Sequence, residues 1–318
     1  MRPTREPAIL TIAAVRESAA GDAMECLFNE RQQIYTLPRA ARTREPALRR
    51  LREALDRKTP LKAILNPRRG VIERVAEPSG RELREFEKLR IPLEKPEKMM
   101  RIDVSRIDPT TFNIVDYYLD LPVFKLCKKT IPSYKVAKDI LDFCAAQSCH
   151  LPGPPAISHC IPFQYARDGC YARAHKMRQI IEDQYGYCSE KVFSFALDDD
   201  TLAVRANKWG GCCVTWWYHV APLVRVRVRI KLPPVVNLDF TLAMVIDPSM
   251  FDKPVLLSTW LMAQEEKSCA ANAKVTTYSI QPSSAYWPQG EPGSFGTDPT
   301  YALTHGTLLS YKNLTTCP

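Results

Sequence analysis

The sequence predicts an α+β protein of two units, and three observations carry that expectation. The chain has 318 residues, beyond the roughly 100 to 200 of a usual single domain. Apolar residues recur at helical spacing in four stretches and, after the last of them, alternate with period two. Basic charge is concentrated in the front: residues 1–129 hold 27 basic and 19 acidic side chains, residues 130–318 hold 17 and 16. We therefore expect a small α+β unit over 1–129, ending in a linker, and a larger unit over 130–318 in which helices are followed by a run of strands.

The front unit opens with "AILTIAAV", whose pattern reads as a strand. In "TREPALRRLREALDRK", Leu48, Leu51 and Leu55 share one helical face and Pro46 falls in the permitted first turn. "LKAILNPRRGVIERVAE" reads as two short strands around a turn with Pro67 and Gly70. "SGRELREFEKL" offers a capping box, Ser79 with Glu82, ahead of Leu83, Phe86 and Leu89. From about 91 to 130 the pattern fades into a linker, where Lys128 and Lys129 form an accessible site for a protease.

The second unit begins with a helix carrying Val136, Ile140, Leu141 and Cys144 after Ser133. A second helix starts near Cys170, with Ala174, Met177, Ile180 and Ile181 inward. "KVFSFA", "CVTWWYHVAPLV", "RVRVRIKL" and "TLAMVID" then read as strands, the third as an edge strand with its arginines in solvent. Beyond residue 270 the Pro, Gly, Ser and Tyr content predicts irregular loops packed on the core.

Composition excludes several classes. At 45% hydrophobic and 25% charged residues the chain reads as globular, with no apolar run near the roughly 18 residues of a membrane span. The formal charge of +9 lies mostly on helices where Arg alternates with Glu, so neither a nucleic-acid partner nor a membrane is expected. Eleven cysteines without paired zinc-type spacings point to disulfides and an oxidising compartment, with at least one thiol left over. The N-terminus is too short and too weakly basic for an evident signal peptide, so a secreted protein is expected whose leader is not visible here. Cys149 and Cys160 flank a proline-rich loop, and a bridge between them contributes about 3 kcal/mol in the chain-entropy model. Cys188 is placed to pair with Cys212 or Cys213.

Cys170 admits two readings. It is half of a structural disulfide, or a nucleophile whose pKa is lowered at a helix N-terminus. Gly169 permits the tight turn, and Asp168 is placed to cap the helix. A nucleophile needs a base, and His219 is the best placed of five histidines. Asp247 ends "TLAMVID"; if that strand pairs antiparallel with the strand of His219, the carboxylate reaches the imidazole. His175 lies five residues beyond Cys170 on roughly the opposite face, His150 and His159 flank the proline-rich loop, and His305 falls in a late turn.

The segments "DGCYARAHKMRQII", "GYC", "CCVTWWYHVAPLV" and "VIDPSMF" together resemble the bacterial protein-glutaminase family. The likeness covers roughly 130–270, including "TIPS" and the Cys149/Cys160 spacing. It implies a transglutaminase-like or papain-like core, with helices packed on an antiparallel sheet, and a triad of Cys170, His219 and Asp247. The implied activity is that of an amidohydrolase on linear amides, converting protein glutamine to glutamate through a thioester, with no metal or organic cofactor. "QQIYTLPRA", "LRRLREAL" and "ILNPRRGVIERVAEPS" resemble the family's inhibitory pro-region, which implies a zymogen, an activating protease, and protein or peptide substrates bearing exposed glutamine. Within that region Gln33 is the candidate substrate mimic, with Gln32 second. The alternatives sharing this chemistry are a transglutaminase, a papain-like thiol protease or a host-directed deamidating toxin.

Overall fold

A computed structural model describes residues 5–38, 44–92, 128–232, 236–289 and 294–317; most of the expected linker therefore lies outside the described residues. The front unit is built on six strands: β1 (Glu6–Leu10), β2 (Ile12–Glu17), β3 (Ala23–Phe28), β4 (Tyr35–Pro38), β5 (Leu61–Asn66) and β6 (Val71–Ala76). Their order in one sheet is β1-β5-β6-β4-β3-β2. The single strand expected over "AILTIAAV" is thus two strands at opposite sheet edges. They part at Thr11, whose N–H and hydroxyl both donate to the buried Glu30 carboxylate, at 2.9 and 2.6 Å.

Helix α1 (Arg44–Arg57) buries Leu48 and Leu51 against this sheet, as its spacing requires. Helix α2 (Gly80–Leu89) has both hydrogen bonds of the Ser79–Glu82 capping box. Of its three expected apolar contacts only Phe86 is buried, and Leu89 is 42% exposed.

The second unit contains β8 (Thr130–Ile131), α3 (Tyr134–Ala146), α4 (Cys170–Tyr185), β9 (Glu190–Phe195), β12 (Tyr218–Leu232), β13 (Val236–Val245), β14 (Val255–Leu256) and β15 (Thr277–Pro282). Its main sheet runs β14-β13-β12-β9-β15, antiparallel throughout, with β8 added in parallel to β12. Ser133 caps α3 by accepting the Val136 N–H. Helices α3 and α4 bury Ile140, Leu141, Met177 and Ile180 in a core shared with Phe193, Val220 and Val226 of the sheet. The strand "RVRVRIKL" is not a free edge, since β13 pairs with it along its length. The alternation itself holds, with Val226 buried and Arg227 and Arg229 exposed.

The region expected to be irregular is ordered as β15, β16 (Ala285–Pro288), β17 (Phe295–Thr297) and α6 (Ala302–Tyr311). The sequence "ALTHGTLLSY" has weak helix formers and a central glycine, so local propensity does not announce α6. Tertiary packing supplies the stability, with Thr304, Leu308 and Tyr311 buried. A short strand from the front unit, β7 (Ile91–Pro92), pairs with β17 and ties the two units together.

Two further strands, β10 (Leu202–Arg205) and β11 (Cys213–Trp216), form a hairpin beside the main sheet, and α5 (Leu257–Met262) covers its β14 edge. The strand expected over "CVTWWYHVAPLV" is interrupted at Trp217, whose backbone N–H is turned toward the front unit.

Cys149 and Cys160 are bridged, closing the proline-rich loop as expected. The other pairing differs from expectation: Cys212 joins Cys317 and Cys213 joins Cys269. Cys212 precedes β11 and Cys213 opens it, and the two neighbouring cysteines take two different partners. Cys188 is disulfide-bonded, but to neither of them. The Cys212–Cys317 bridge spans a sequence separation of 105, worth about 4 to 5 kcal/mol in the chain-entropy model.

Candidate active site

Helix α4 begins at Cys170 because Gly169 turns the chain there with φ of 80°, in the left-handed region where a side chain is strained. A Cβ at Gly169 would also meet the Tyr311 ring at 2.9 Å. Asp168 does not cap the helix; Gly169 occupies that position without any side-chain bond. The fully buried Asp168 carboxylate instead gathers donors. Its Oδ1 accepts the N–H of Gly169 at 2.7 Å and of Gln32 at 2.9 Å, and its Oδ2 accepts the Tyr311 hydroxyl at 2.8 Å.

Cys170 is one of three unbridged cysteines among the described residues, with Cys26 and Cys144. This removes the disulfide reading. Its thiol is buried, and burial pushes its pKa well above the ordinary value, against the pull of the Arg173 guanidinium and a Val220 backbone hydrogen bond. The lowering expected from the helix N-terminus is therefore not met, because burial disfavours the charged thiolate.

His219 lies in β12, between two indoles. The Trp216 ring stacks on it at 4.5 Å and 18°, and the Trp260 ring at 5.3 Å and 22°. Its Nε2 is 2.8 Å from Oδ2 of Asp247, the meeting that antiparallel pairing of β12 with β13 was expected to produce. Asp247 also accepts the Trp260 indole N–H at 2.9 Å, the Ser249 backbone N–H at 3.2 Å and the Ser249 hydroxyl. Burial acts to raise the Asp247 pKa, but His219, Ser249 and Trp260 outweigh it and hold the carboxyl at about 2. Burial lowers the His219 pKa against the attraction of Asp247. The imidazole is accordingly neutral, with its proton on Nε2 facing the carboxylate and Nδ1 free to accept.

The group facing Nδ1 is the side chain of Gln32. Its Nε2 lies 2.9 Å from His219 Nδ1, and its Oε1 accepts the backbone N–H of Cys170 at 3.2 Å. The Gln32 main chain is held as firmly. Asp168 takes its N–H, and the Trp217 N–H donates to its carbonyl at 3.3 Å. Ahead of it, Arg31 reaches Asp168 at 3.6 Å, donates to the Tyr171 hydroxyl at 2.9 Å and pairs with Glu6 at 2.5 Å, while the Trp217 indole donates to its carbonyl at 2.7 Å.

Gln33, the first candidate for this position, is not in the site. Its side chain points the other way, donating to the Pro67 carbonyl at 3.0 Å and accepting from the Tyr165 hydroxyl at 3.4 Å. The remaining candidates also lie apart. His175 is buried against Lys191 at 2.7 Å and the Asp298 carbonyl at 3.1 Å. His150 packs edge-on to Trp209, and His159 stacks on His305, which belongs to α6 and not to a turn. The residues that sequence reasoning missed are Asp168 as an acceptor for the front unit, the Trp217 N–H, Tyr311, and the indole pair around His219. Only the charged Arg31 next to the glutamines hints at the first of these.

The Cys170 N–H and an imidazole backed by a carboxylate thus converge on one carboxamide, at the helix start that carries the unbridged thiol. Such a set can add sulfur to an amide carbon, hold the resulting oxyanion, and protonate a departing nitrogen.

A family model described as glutaminase matches residues 137–264, a span that contains Cys170, His219 and Asp247. No curated protein is significantly similar to the chain in sequence. Among solved structures, the crystal structure of pro-protein-glutaminase is similar with a TM-score of 0.69 and 26% identity, covering 98% of this chain and 95% of that one. A mutant of pro-protein-glutaminase is similar with a TM-score of 0.68 and 26% identity, covering 99% of this chain and 95% of that one. The match of both units in a single alignment, and not of the second unit alone, is what fixes the form. The chain belongs to the protein-glutaminase family and has the architecture of its proenzyme.

Proposed function

We propose that the second unit, once freed of the first, deamidates glutamine side chains in proteins and peptides, with Cys170, His219 and Asp247 as its triad. The observation that carries this reading is the Gln32 carboxamide bound between the Cys170 N–H and His219 Nδ1. It is a side-chain amide, and not a peptide bond, that lies against these groups, which favours deamidation over proteolysis.

The roles follow from the atoms. The Cys170 sulfur adds to the carboxamide carbon, its proton passing to Nδ1 of His219. The Cys170 N–H stabilises the oxyanion at the position now held by Gln32 Oε1. The protonated imidazole gives its proton to the amide nitrogen, which departs as ammonia and leaves a thioester. Nδ1 then takes a proton from water, which attacks the thioester and releases a protein glutamate. Asp247 keeps the tautomer and ring orientation this requires, and the two indoles hold the ring in plane.

Residues 1–129 act as the inhibitory pro-region and residues 130–318 as the catalytic domain. Burial of Cys170 under Gln32 is the means of inhibition, and cleavage near the exposed Lys128 by a partner protease relieves it. The disulfides suit a secreted enzyme. To test the reading, the chain is cut near residue 129, the front unit removed, and a glutamine-containing protein supplied with and without a primary amine. Ammonia should appear in both cases with glutamate in the substrate. Peptide fragments without ammonia, or amine incorporation in preference to hydrolysis, would overturn it in favour of a thiol protease or a transglutaminase.

A further inference from the structure

The residue occupying the site is itself the kind of group the site is built to consume. A pro-region can block a cleft with any side chain that fills it, and an apolar one would do so without chemistry. Here the blocking residue carries a carboxamide whose oxygen sits on the Cys170 N–H and whose nitrogen sits on the ring atom that would protonate it. Its backbone is fixed at both ends, the N–H on Asp168 and the carbonyl on the Trp217 N–H. The adjacent Gln33, equally a glutamine, is turned away onto Pro67.

We infer that the proenzyme deamidates its own Gln32, making this residue of the pro-region the enzyme's first substrate. The inference rests on the activity proposed above. The Cys170 sulfur forms a bond to Gln32 Cδ, and the carbon–nitrogen bond breaks. Nitrogen leaves as ammonia with the thiol proton delivered through His219. Water then adds to the thioester carbon and the carbon–sulfur bond breaks, restoring the thiol. One water is consumed, nothing is oxidised or reduced, and residue 32 ends as glutamate, its carboxyl proton leaving on the released ammonia as ammonium.

Two features make this a slow event. Gln32 is 0% exposed, so the hydrolytic water enters only when the front unit opens locally. The thiol is also held protonated by the same burial. The product changes the hold of the inhibitor. A carboxylate has no N–H for Nδ1 of the neutral imidazole, so two acceptors face each other inside a site that already contains the carboxylates of Asp247 and Asp168. Self-deamidation would thus act as an internal clock that loosens the pro-region before or alongside its proteolysis.

The test uses the full-length chain and its Cys170→Ser variant, incubated side by side and digested with chymotrypsin. Residues 29–35 form one peptide between Phe28 and Tyr35, and its fragmentation separates position 32 from position 33. Conversion of Gln32 to glutamate, with Gln33 still an amide and no conversion in Cys170→Ser, is the expected result. In the same preparation a portion is activated and given an external protein. If Gln32 remains an amide while the activated portion releases ammonia, self-deamidation is overturned and the proposed activity stands. If neither occurs, both fail together. As a second readout, full-length Gln32→Glu should react with a thiol reagent at Cys170 at least roughly tenfold faster than the parent chain. An unchanged rate would contradict the loosening.

Discussion

Asp247→Asn lowers kcat of the activated enzyme by about three to four orders of magnitude while leaving the fold intact. The carboxylate does its work through the imidazole. It accepts the Nε2 proton of His219 at 2.8 Å and so forces Nδ1 to be the lone-pair nitrogen. An asparagine can turn its amide toward Nε2 and donate, which moves the ring proton to Nδ1. A ring protonated there cannot take the thiol proton of Cys170. The Trp260 indole N–H, which shares that oxygen, loses its acceptor, but the Asn carbonyl can still accept from Ser249 and the indoles of Trp216 and Trp260 still enclose the ring. Ammonia release as a function of substrate separates the effects: kcat should collapse with KM little changed, and the thermal unfolding midpoint should move by only a few degrees. A variant that loses activity only in proportion to its folded fraction would show that Asp247 is structural.

Arg31→Ala should open the proenzyme. This side chain spans Asp168, Tyr171 and Glu6 and is mostly buried, its side chain 11% exposed. Removing one member of a buried charge network costs about 3 to 5 kcal/mol, and here the loss falls on the closed state alone. Even the lower bound corresponds to roughly a hundredfold rise in the open population. The readout is the rate at which a thiol reagent labels Cys170 in the uncut chain, which should rise by a similar factor. Because Arg31 lies in the front unit, the activated enzyme derived from this variant keeps full turnover. Labelling at the parental rate would mean that the hold comes from elsewhere, with the strand pair β7 and β17 the next place to look.

The candidate site was legible because each of its parts has a local signature. A cysteine after Asp-Gly at the start of a periodic run, a histidine in a strand, and an aspartate ending the next strand before proline are visible without coordinates. Antiparallel pairing of β12 with β13 then does the assembly. What was illegible is the choice between Gln32 and Gln33. In an extended segment adjacent side chains face opposite ways, so one step of register decides which glutamine is buried in the site. That register is set by the bridge of Gln33 to Trp216 and by the Trp217 N–H, in a segment nearly two hundred residues away.

Long-range partners were hidden for the same reason. Tyr311 reaches Asp168, and Cys317 reaches Cys212, only because α6 packs beside α4. The residues of α6 carry little helical propensity of their own. The front-unit strands were half visible: the hairpin of β5 and β6 is announced by its Asn-Pro turn, whereas the separation of β1 from β2 depends on Glu30 receiving Thr11, a tertiary contact. The lowered thiol pKa anticipated at the helix N-terminus is overturned by burial of the Cys170 side chain, which raises it.

The most direct measurement is ammonia release from a glutamine-bearing protein by the activated chain and by its Cys170→Ser counterpart. The expected result is stoichiometric ammonia and glutamate from the parent and none above background from the variant, whose hydroxyl is not activated by the same imidazole. Retention of deamidation without the sulfur would contradict the role assigned to Cys170 and, with it, the reading of Gln32 as a bound substrate.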